Sequence, residues 1–517
     1  MEELATSKNT GNKRIAKNVF FLYVRLFILL IVGLYTSRII LDGLGVVDFG
    51  LYGVVGSLVF IFTFVQGALA SSASRFIAVE IEVGTPESQN KVFCMSLNIH
   101  FIIATIVLVL SETIGLWYLC NKMVIPEERM YAASIVYQLS CASALLSLLV
   151  VPYRALIIAA EKMNAFAYLS IVEVVAKLAV AYCLYIDGPD KLILYGIMIF
   201  IVQAGINLLY LIYCRRSFII SKFRKVWDKL LFKDMIVFSG WSTCSYVSGS
   251  VVNQGYNLIL NLFCGPVVNA ARSVAYQVQT KVLEFATNFQ IALNPQIFKN
   301  YAATDVRRVE ELVEMSIKVS FSLMFVMLFP ILVNIEGILS IWLVEVPKDT
   351  DIFVVIICIT AVFAAMSNPL GVVAEAANKL KIYNLITIPI FVLALPISYA
   401  CLYFGLPAHY VFIVALLAEF IGMWAKFLIA RGILNNPMHH AFFLIIKCIV
   451  TIVIFGGLGL MLLHFFDSTF LSVVVCGSIC IFLSCFWVLY VIINKKERII
   501  VFDKIKSLVC KRGSVKE

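Results

Sequence analysis

Arginines set inside apolar stretches long enough to cross a bilayer constrain this chain more than any other feature. Residues 13–78 show it first. NKRIAKN leads into an apolar run carrying Arg25, then Thr36, Ser37 and Arg38, then the turn LDGLGVVDFGLYG. A second apolar run follows and ends ALASSASRFIA, with Arg75 near its end. Each limb exceeds the ~20 apolar residues that a spanning helix needs. A guanidinium at membrane depth costs about 3 to 17 kcal/mol unless it faces protein or water. The opening hairpin therefore reads as one wall of an aqueous cavity, and the rest of the chain as further wall.

Composition supports an integral membrane protein. Of 517 residues, 62% are hydrophobic and 14% charged, against about 25% charged in soluble domains. The apolar runs are helix-length, and the short alternating segments of an outer-membrane barrel are missing. The fold class expected is all-α, with about 14 transmembrane helices near 18–41, 49–79, 92–120, 130–158, 165–187, 191–214, 235–263, 267–296, 311–344, 352–377, 382–404, 410–431, 441–465 and 469–493. The first run is too long for a signal-peptide core and reads as a retained helix.

Charge placement sets the expected orientation. With the N-terminus in the cytoplasm, 27 of the 41 lysines and arginines fall in cytoplasmic segments and four (Lys122, Arg129, Lys191 and Lys348) outside. The positive-inside rule then puts both termini in the cytoplasm. The basic balance is explained by anionic lipid, which removes the case for nucleic acid. All external connections are short, so no external domain is available for chemistry. The basic loop before residue 235 (FIISKFRKVWDKLLF) reads as a membrane-surface amphipathic helix, or else as a regulatory or partner-binding segment.

That loop separates two related halves. LGVVDFGLYGVVGS, closing at ASSASRFIA, is echoed about 220 residues later by FCGPVVNAARSVAYQ, closing at ALNPQIFKNYA. Such internal similarity points to a transporter built from repeats. The organisation expected is a basic tail (1–17), a six-helix lobe (18–214), a basic linker (215–234), a second six-helix lobe (235–431), two additional helices (441–493) and a basic tail (494–517).

Ten basic residues remain inside the spans. Arg75, Arg154, Lys318, Lys426 and Lys447 lie near span ends, where a long side chain can snorkel to the headgroups. Arg25 and Arg272 are harder to account for that way. Arg272 shares a helical face with Asn269, Tyr276, Gln279 or Thr280, Thr287, Gln290 and Asn294, and the preceding segment carries Ser242, Ser245, Gly249, Asn253 and Asn257 on one stripe. Two adjacent polar stripes read either as a hydrated wall or as interhelical hydrogen bonding. Arg38 lies thirteen residues after Arg25, about 20 Å along a helix. It either lines a broad cavity with Arg25 or pairs with Asp42 or Asp48 at the rim.

Two charge pairs are spaced for one helix face, Glu173 with Lys177 and Lys281 with Glu284. They read as mutual neutralisation, or as a switchable charge whose carboxylate takes a coupling cation. Glu336 and Glu419 are further acids of that kind. The 14 cysteines are dispersed, as are the five histidines. No CxxC, nucleotide-binding GxxxxGK[ST] or nucleophilic triad is visible. The expectation is a non-enzyme with no cofactor and no metal. Arginines with amide and hydroxyl side chains suit a diphosphate or sugar ligand, since guanidinium forks bind phosphate oxygens bidentately.

The opening NKRIAKN, YTSRIIL, LGVVDFGLY and SSASRF, together with RALIIAAEKMNAFAYLSIVE, resemble the Wzx-type O-antigen and capsule flippases of the multidrug/oligosaccharidyl-lipid/polysaccharide (MOP) exporter superfamily. The resemblance implies two six-helix lobes around a central cavity, often with two extra helices. It implies an undecaprenyl-diphosphate-linked glycan as substrate, membrane lipids as surroundings, and a polysaccharide polymerase and assembly proteins as possible partners. It carries Arg25 and Arg272, and less firmly Arg38, to the headgroup; Asn253, Asn257, Asn269 and Tyr276, from the two polar stripes, are the further candidates for substrate binding. The alternatives are a cation-coupled multidrug exporter of the same superfamily, or a membrane-embedded polysaccharide polymerase.

Overall fold

A computed structural model describes residues 2–121, 123, 125–185, 190–264, 266–342, 346–462, 470–494 and 498. The C-terminal tail beyond them and the side chains of the basic N-terminal tail lie outside the described residues, as do parts of the expected outside turns, 186–189 and 463–469 among them. Within the described residues the chain is helical, without strands. In order, the helices are α1 (Glu2–Val83), α2 (Pro86–Leu110), α3 (Leu116–Asn121), α4 (Met130–Ala159), α5 (Met163–Cys183), α6 (Lys191–Ser217), α7 (Lys229–Cys264) and α8 (Pro266–Ala302). They continue with α9 (Val306–Val333), α10 (Ile335–Trp342), α11 (Thr350–Ala376), α12 (Leu380–Tyr403), α13 (His409–Leu434), α14 (His439–Leu462) and α15 (Phe470–Trp487).

By length and composition, 11 stretches among the described residues can cross a membrane. Asn18–Gly45 is the first, and α2 with α3 form one stretch, Pro86–Asn121. α7 and α8 are 36 and 37 residues long but fall outside the 11. They are the helices that carry the two polar stripes, so their mean hydropathy is low although their length is ample.

α1 holds both limbs of the opening hairpin. Its helical course is broken at Gly45, with φ 77° and ψ 167°, a conformation that a β-carbon makes costly. The turn seen in the sequence is thus a single glycine rather than a loop.

The chain forms two compact units. The first is Met1–Gly249 with Ile291–Asp305 and Asn378–Asn384; the second is Ser250–Gln290 with Val306–Ala377 and Leu385–Glu517. In the first, Leu51, Val55, Ala133, Tyr137 and Leu192 form one apolar core, and Leu69, Met95, Ile99, Leu148 and Met235 another. In the second, Phe321, Phe325 and Phe329 stack in series along α9, and Phe455 of α14 meets the last two edge-on.

Two interhelical turns have the same construction, which supports duplication. α4 and α11 cap at Ala160 and Ala377, then pass through a left-handed residue, Glu161 (φ 57°) and Asn378 (φ 56°). Each is followed by a lysine, and each lies nine residues after a helix-interior proline, Pro152 and Pro369. Glu161 is 5% exposed, and its carboxylate accepts from Lys299 Nζ at 2.7 Å and Gln296 Nε2 at 3.0 Å. These bonds tie the first of the two turns to the last turns of α8.

The basic linker departs from expectation. Its start is the last turn of α6, Ile219–Ser221 make one 3-10 turn and its end is the start of α7, while residues 222–228 between them are non-helical. The reason is competition for the backbone. Asn90 of α2 donates to the carbonyls of Ile220 (2.8 Å) and Lys222 (2.7 Å), and Asn98 to that of Val226 (3.0 Å). Carbonyls taken by side-chain amides are not available to a helix. Asp228 ends the strap by capping α7 through the amides of Leu230 and Leu231, and it pairs with Lys91 at 2.5 Å. The hydrogen bond from Lys91, aided by that from the Leu231 amide, holds the Asp228 carboxyl below its usual range.

Two stability outcomes follow from these contacts. Gly45→Ala is expected to cost about 1–3 kcal/mol, whereas Gly33→Ala, within a helix and with open space at its β-carbon, is neutral or stabilising by up to about 1 kcal/mol. Lys299→Met strands a buried carboxylate and is expected to cost about 3–5 kcal/mol. Thermal unfolding of the purified protein in detergent reads all three.

Candidate functional site

Arg272 is where the second unit gathers the residues expected to bind a ligand. It lies one turn and a half into α8 and is 7% exposed. Its Nη2 donates to the backbone carbonyl of Asn253 at 3.0 Å and also to the Asn253 side-chain oxygen. Its guanidinium carbon lies 4.4 Å from the ring centroid of Tyr276, one turn further along the same helix. Three of the expected residues thus form one cluster: an arginine with its plane set by a ring and an amide. Asn257, one turn beyond Asn253 on α7, is half-buried. The side chain of Asn269 lies outside the described residues.

The first unit holds a second cluster. Arg25 lies over the Phe166 ring at 4.7 Å. Arg154 lies over Tyr210 at 4.7 Å and donates to Asn207 Oδ1 at 3.1 Å. Arg154, read as a snorkelling residue, is thus engaged by two side chains of α6. Two signals in the sequence could have found this: Asn207 interrupts an apolar run, and it shares a helical face with Tyr210 three residues on.

Arg38 is exposed, and the acids offered as its partners are engaged elsewhere. Asp42 accepts from the Tyr185 hydroxyl at 2.7 Å, and Asp48 from Arg129, which also binds Asp190. The pairing expected of Arg38 with either acid is replaced by these contacts.

The two expected charge pairs form. Lys177 meets Glu173 at 2.6 Å, and Lys281 meets Glu284 at 3.2 Å. A third pair was missed. Lys426, read as snorkelling, is 6% exposed and lies 3.2 Å from Glu419 Oε1 and 2.8 Å from Ser367 Oγ. The long-range contacts the polar stripes make are interhelical hydrogen bonds. Gln290 donates to Ser320 Oγ (2.9 Å) and the Ala365 carbonyl (2.8 Å), and Ser245 to Asn384 Oδ1 (2.6 Å), all interhelical bonds. Asn253 accepts from Arg272 in the same way. Lys447 and Glu336 are exposed.

A pattern runs through these contacts. Lys177, Lys281, Lys318 and Lys426 each have a glutamate partner. Arg25, Arg75, Arg154 and Arg272 each lie over an aromatic ring. A carboxylate pairs with a cation, while a ring face orients a guanidinium plane. Among the described residues, no group of three or more His, Cys, Asp or Glu side chains could hold a metal ion.

The model of a family described as "polysaccharide biosynthesis protein" matches residues 15–301, more than half the chain. The chain belongs to that family. The expected resemblance to polysaccharide exporters therefore holds, and the solved structures agree on the fold. A multidrug resistance MATE family transporter of the MOP superfamily, solved in an outward-facing conformation, superposes with TM-score 0.70 at 13% identity, over 82% of this chain and 96% of that one. A MATE in complex with MaL6 gives 0.68 at 14%, over 81% and 96%. A MOP superfamily transporter from Pyrococcus furiosus, described as having a binding pocket of reverse polarity that suggests a different function, gives 0.68 at 14%, over 81% and 96%. At such identities the likeness is one of fold. No curated protein matches the sequence. This member of the polysaccharide biosynthesis family is thus a multi-pass, all-α membrane protein with the MOP transporter fold.

Because Arg272 is desolvated without a carboxylate among its described contacts, replacing it with an apolar residue of similar length relieves a charge-burial cost. Arg272→Met is expected to leave the thermal unfolding midpoint in detergent unchanged or higher. A large drop would mark Arg272 as a structural strut instead.

Proposed function

We propose that this protein is a flippase that moves an undecaprenyl-diphosphate-linked oligosaccharide, an O-antigen or capsule repeat unit, from the cytoplasmic to the periplasmic leaflet by alternating access. The observation that carries the reading is the set of guanidinium groups held on rings at bilayer depth, Arg25 on Phe166 and Arg272 on Tyr276, in a chain of the polysaccharide biosynthesis family. A lipid-linked glycan brings a diphosphate to that depth, and arginine forks match phosphate oxygens. Asn253 and Tyr276 add hydrogen-bonding groups suited to sugar hydroxyls.

On this reading the chain's work is binding and conformational exchange, with no covalent step. The inner membrane is the site of action, with both termini in the cytoplasm, as the distribution of lysine and arginine favours. Lys177 and Lys281 are paired with Glu173 and Glu284. The six-helix lobes and the two additional helices belong to the same proposal. A polysaccharide polymerase is the enzyme class that would consume the product outside. The multidrug reading draws on the MATE structures, but at 13–14% identity these carry the fold alone.

The test is surface glycan in cells that depend on this gene. Arg25→Ala and Arg272→Ala are each expected to lower it by about tenfold or more at normal membrane abundance, with lipid-linked repeat units accumulating inside. Full surface glycan in both variants would overturn the reading.

A further inference from the structure

The strap between α6 and α7 is the part of the surface that the proposed transport does not use. It joins the end of α6, an apolar helix of membrane-crossing length, to the start of α7, and its density of basic residues favours the boundary between bilayer and water. It is also held in shape. Three carbonyls are taken by Asn90 and Asn98, the Arg224 amide donates to Cys94 Sγ at 3.2 Å, and Ser221 Oγ donates to the carbonyls of Cys214 and Phe218. Lys91 binds Asp228 at its far end.

What this scaffold presents is consistent along its length. Arg215, Arg216, Lys222, Arg224, Lys225 and Lys229 are exposed, while the one acid among them, Asp228, is paired. Between the cations stand large apolar side chains turned outward: Ile219 83% exposed, Phe223 55%, Trp227 61% and Leu230 76%. Trp227 is braced by the Phe232 ring, with centroids 4.9 Å apart. Cations alone would suit any polyanion in water. Alternating with exposed aromatic and aliphatic groups, they suit an interface where headgroups are anionic and the layer beneath is apolar.

We infer that the strap is a preformed docking surface for anionic phospholipid of the bilayer that surrounds the protein, with Lys222, Arg224 and Lys225 on the phosphodiester headgroups and Phe223 and Trp227 inserted among the upper acyl carbons. The pins from α2 hold the non-helical backbone in place before lipid arrives, so binding does not have to order it. Phe223 and Trp227 stand exposed beside the exposed cations Lys222, Arg224 and Lys225, so cation and ring can meet the same interface.

The test uses the whole protein in phosphatidylcholine vesicles. The added lipid is phosphatidylglycerol brominated near the glycerol end of its chains, or equally brominated phosphatidylcholine at the same mole fraction. Tryptophan quenching is measured for the native protein and for Trp227→Phe, and the difference isolates Trp227. Its quenching is expected to be stronger with the brominated phosphatidylglycerol, and the preference to fall by about tenfold or more in the triple variant Lys222→Gln, Arg224→Gln, Lys225→Gln. Quenching of the remaining tryptophans by brominated phosphatidylcholine, unchanged in that variant, reports that it is folded and inserted. A Trp227 component insensitive to either brominated lipid would place the strap in water and overturn the inference. So would equal quenching by the two lipids, or a preference for phosphatidylglycerol that survives loss of the three charges. Acidic soluble protein as the true partner falls under the first of these outcomes.

Discussion

A charge at bilayer depth has little water to answer it, and the way each one is answered organises this protein. In a medium of low dielectric, an isolated ion is too costly to keep. Four lysines, Lys177, Lys281, Lys318 and Lys426, meet glutamates, three of them about one turn away on the same helix and Lys426 two turns from its Glu419, with Ser367 completing the contact. Four arginines, Arg25, Arg75, Arg154 and Arg272, lie over rings. Lysine is a compact, strongly hydrated point charge that gains most from a carboxylate, whereas the flat guanidinium can lie on an aromatic face and still direct its N–H groups elsewhere.

The same economy of buried polar groups shapes the backbone. Glu161 adopts a left-handed conformation that few glutamates occupy, and its carboxylate is fixed there by Lys299 and Gln296. Asn378 takes that conformation in the sister turn, where an asparagine tolerates it well. The duplicated turn has thus kept its geometry while its chemistry diverged. α7 and α8 show the matching trade in composition. They give up apolar residues for amides and hydroxyls, and part of that set binds helices together while part surrounds Arg272.

Much of this was legible beforehand, wherever partners lie within one helix. Glu173 with Lys177, Lys281 with Glu284, and Arg272 with Tyr276 are three or four residues apart, and helical periodicity alone brings them together. The all-α architecture follows from apolar run length, and the family from the resemblance that the motifs of the opening hairpin carry. What was misread has partners far off in sequence. Arg154 looked like a snorkelling residue because Asn207 and Tyr210, on α6, are over fifty positions away. The linker looked like an amphipathic helix because its own pattern allows one, and nothing local announces that Asn90 and Asn98 will take its carbonyls.

The sequence by itself determined that the chain is helical, that it crosses a membrane many times and that cations stand within its long apolar segments, because these depend on the apolar content and period of single segments. Only the tertiary structure decided which cations meet a carboxylate and which lie on a ring. That choice depends on whether packing delivers a carboxylate or a ring to each one, and packing joins residues that no local pattern connects.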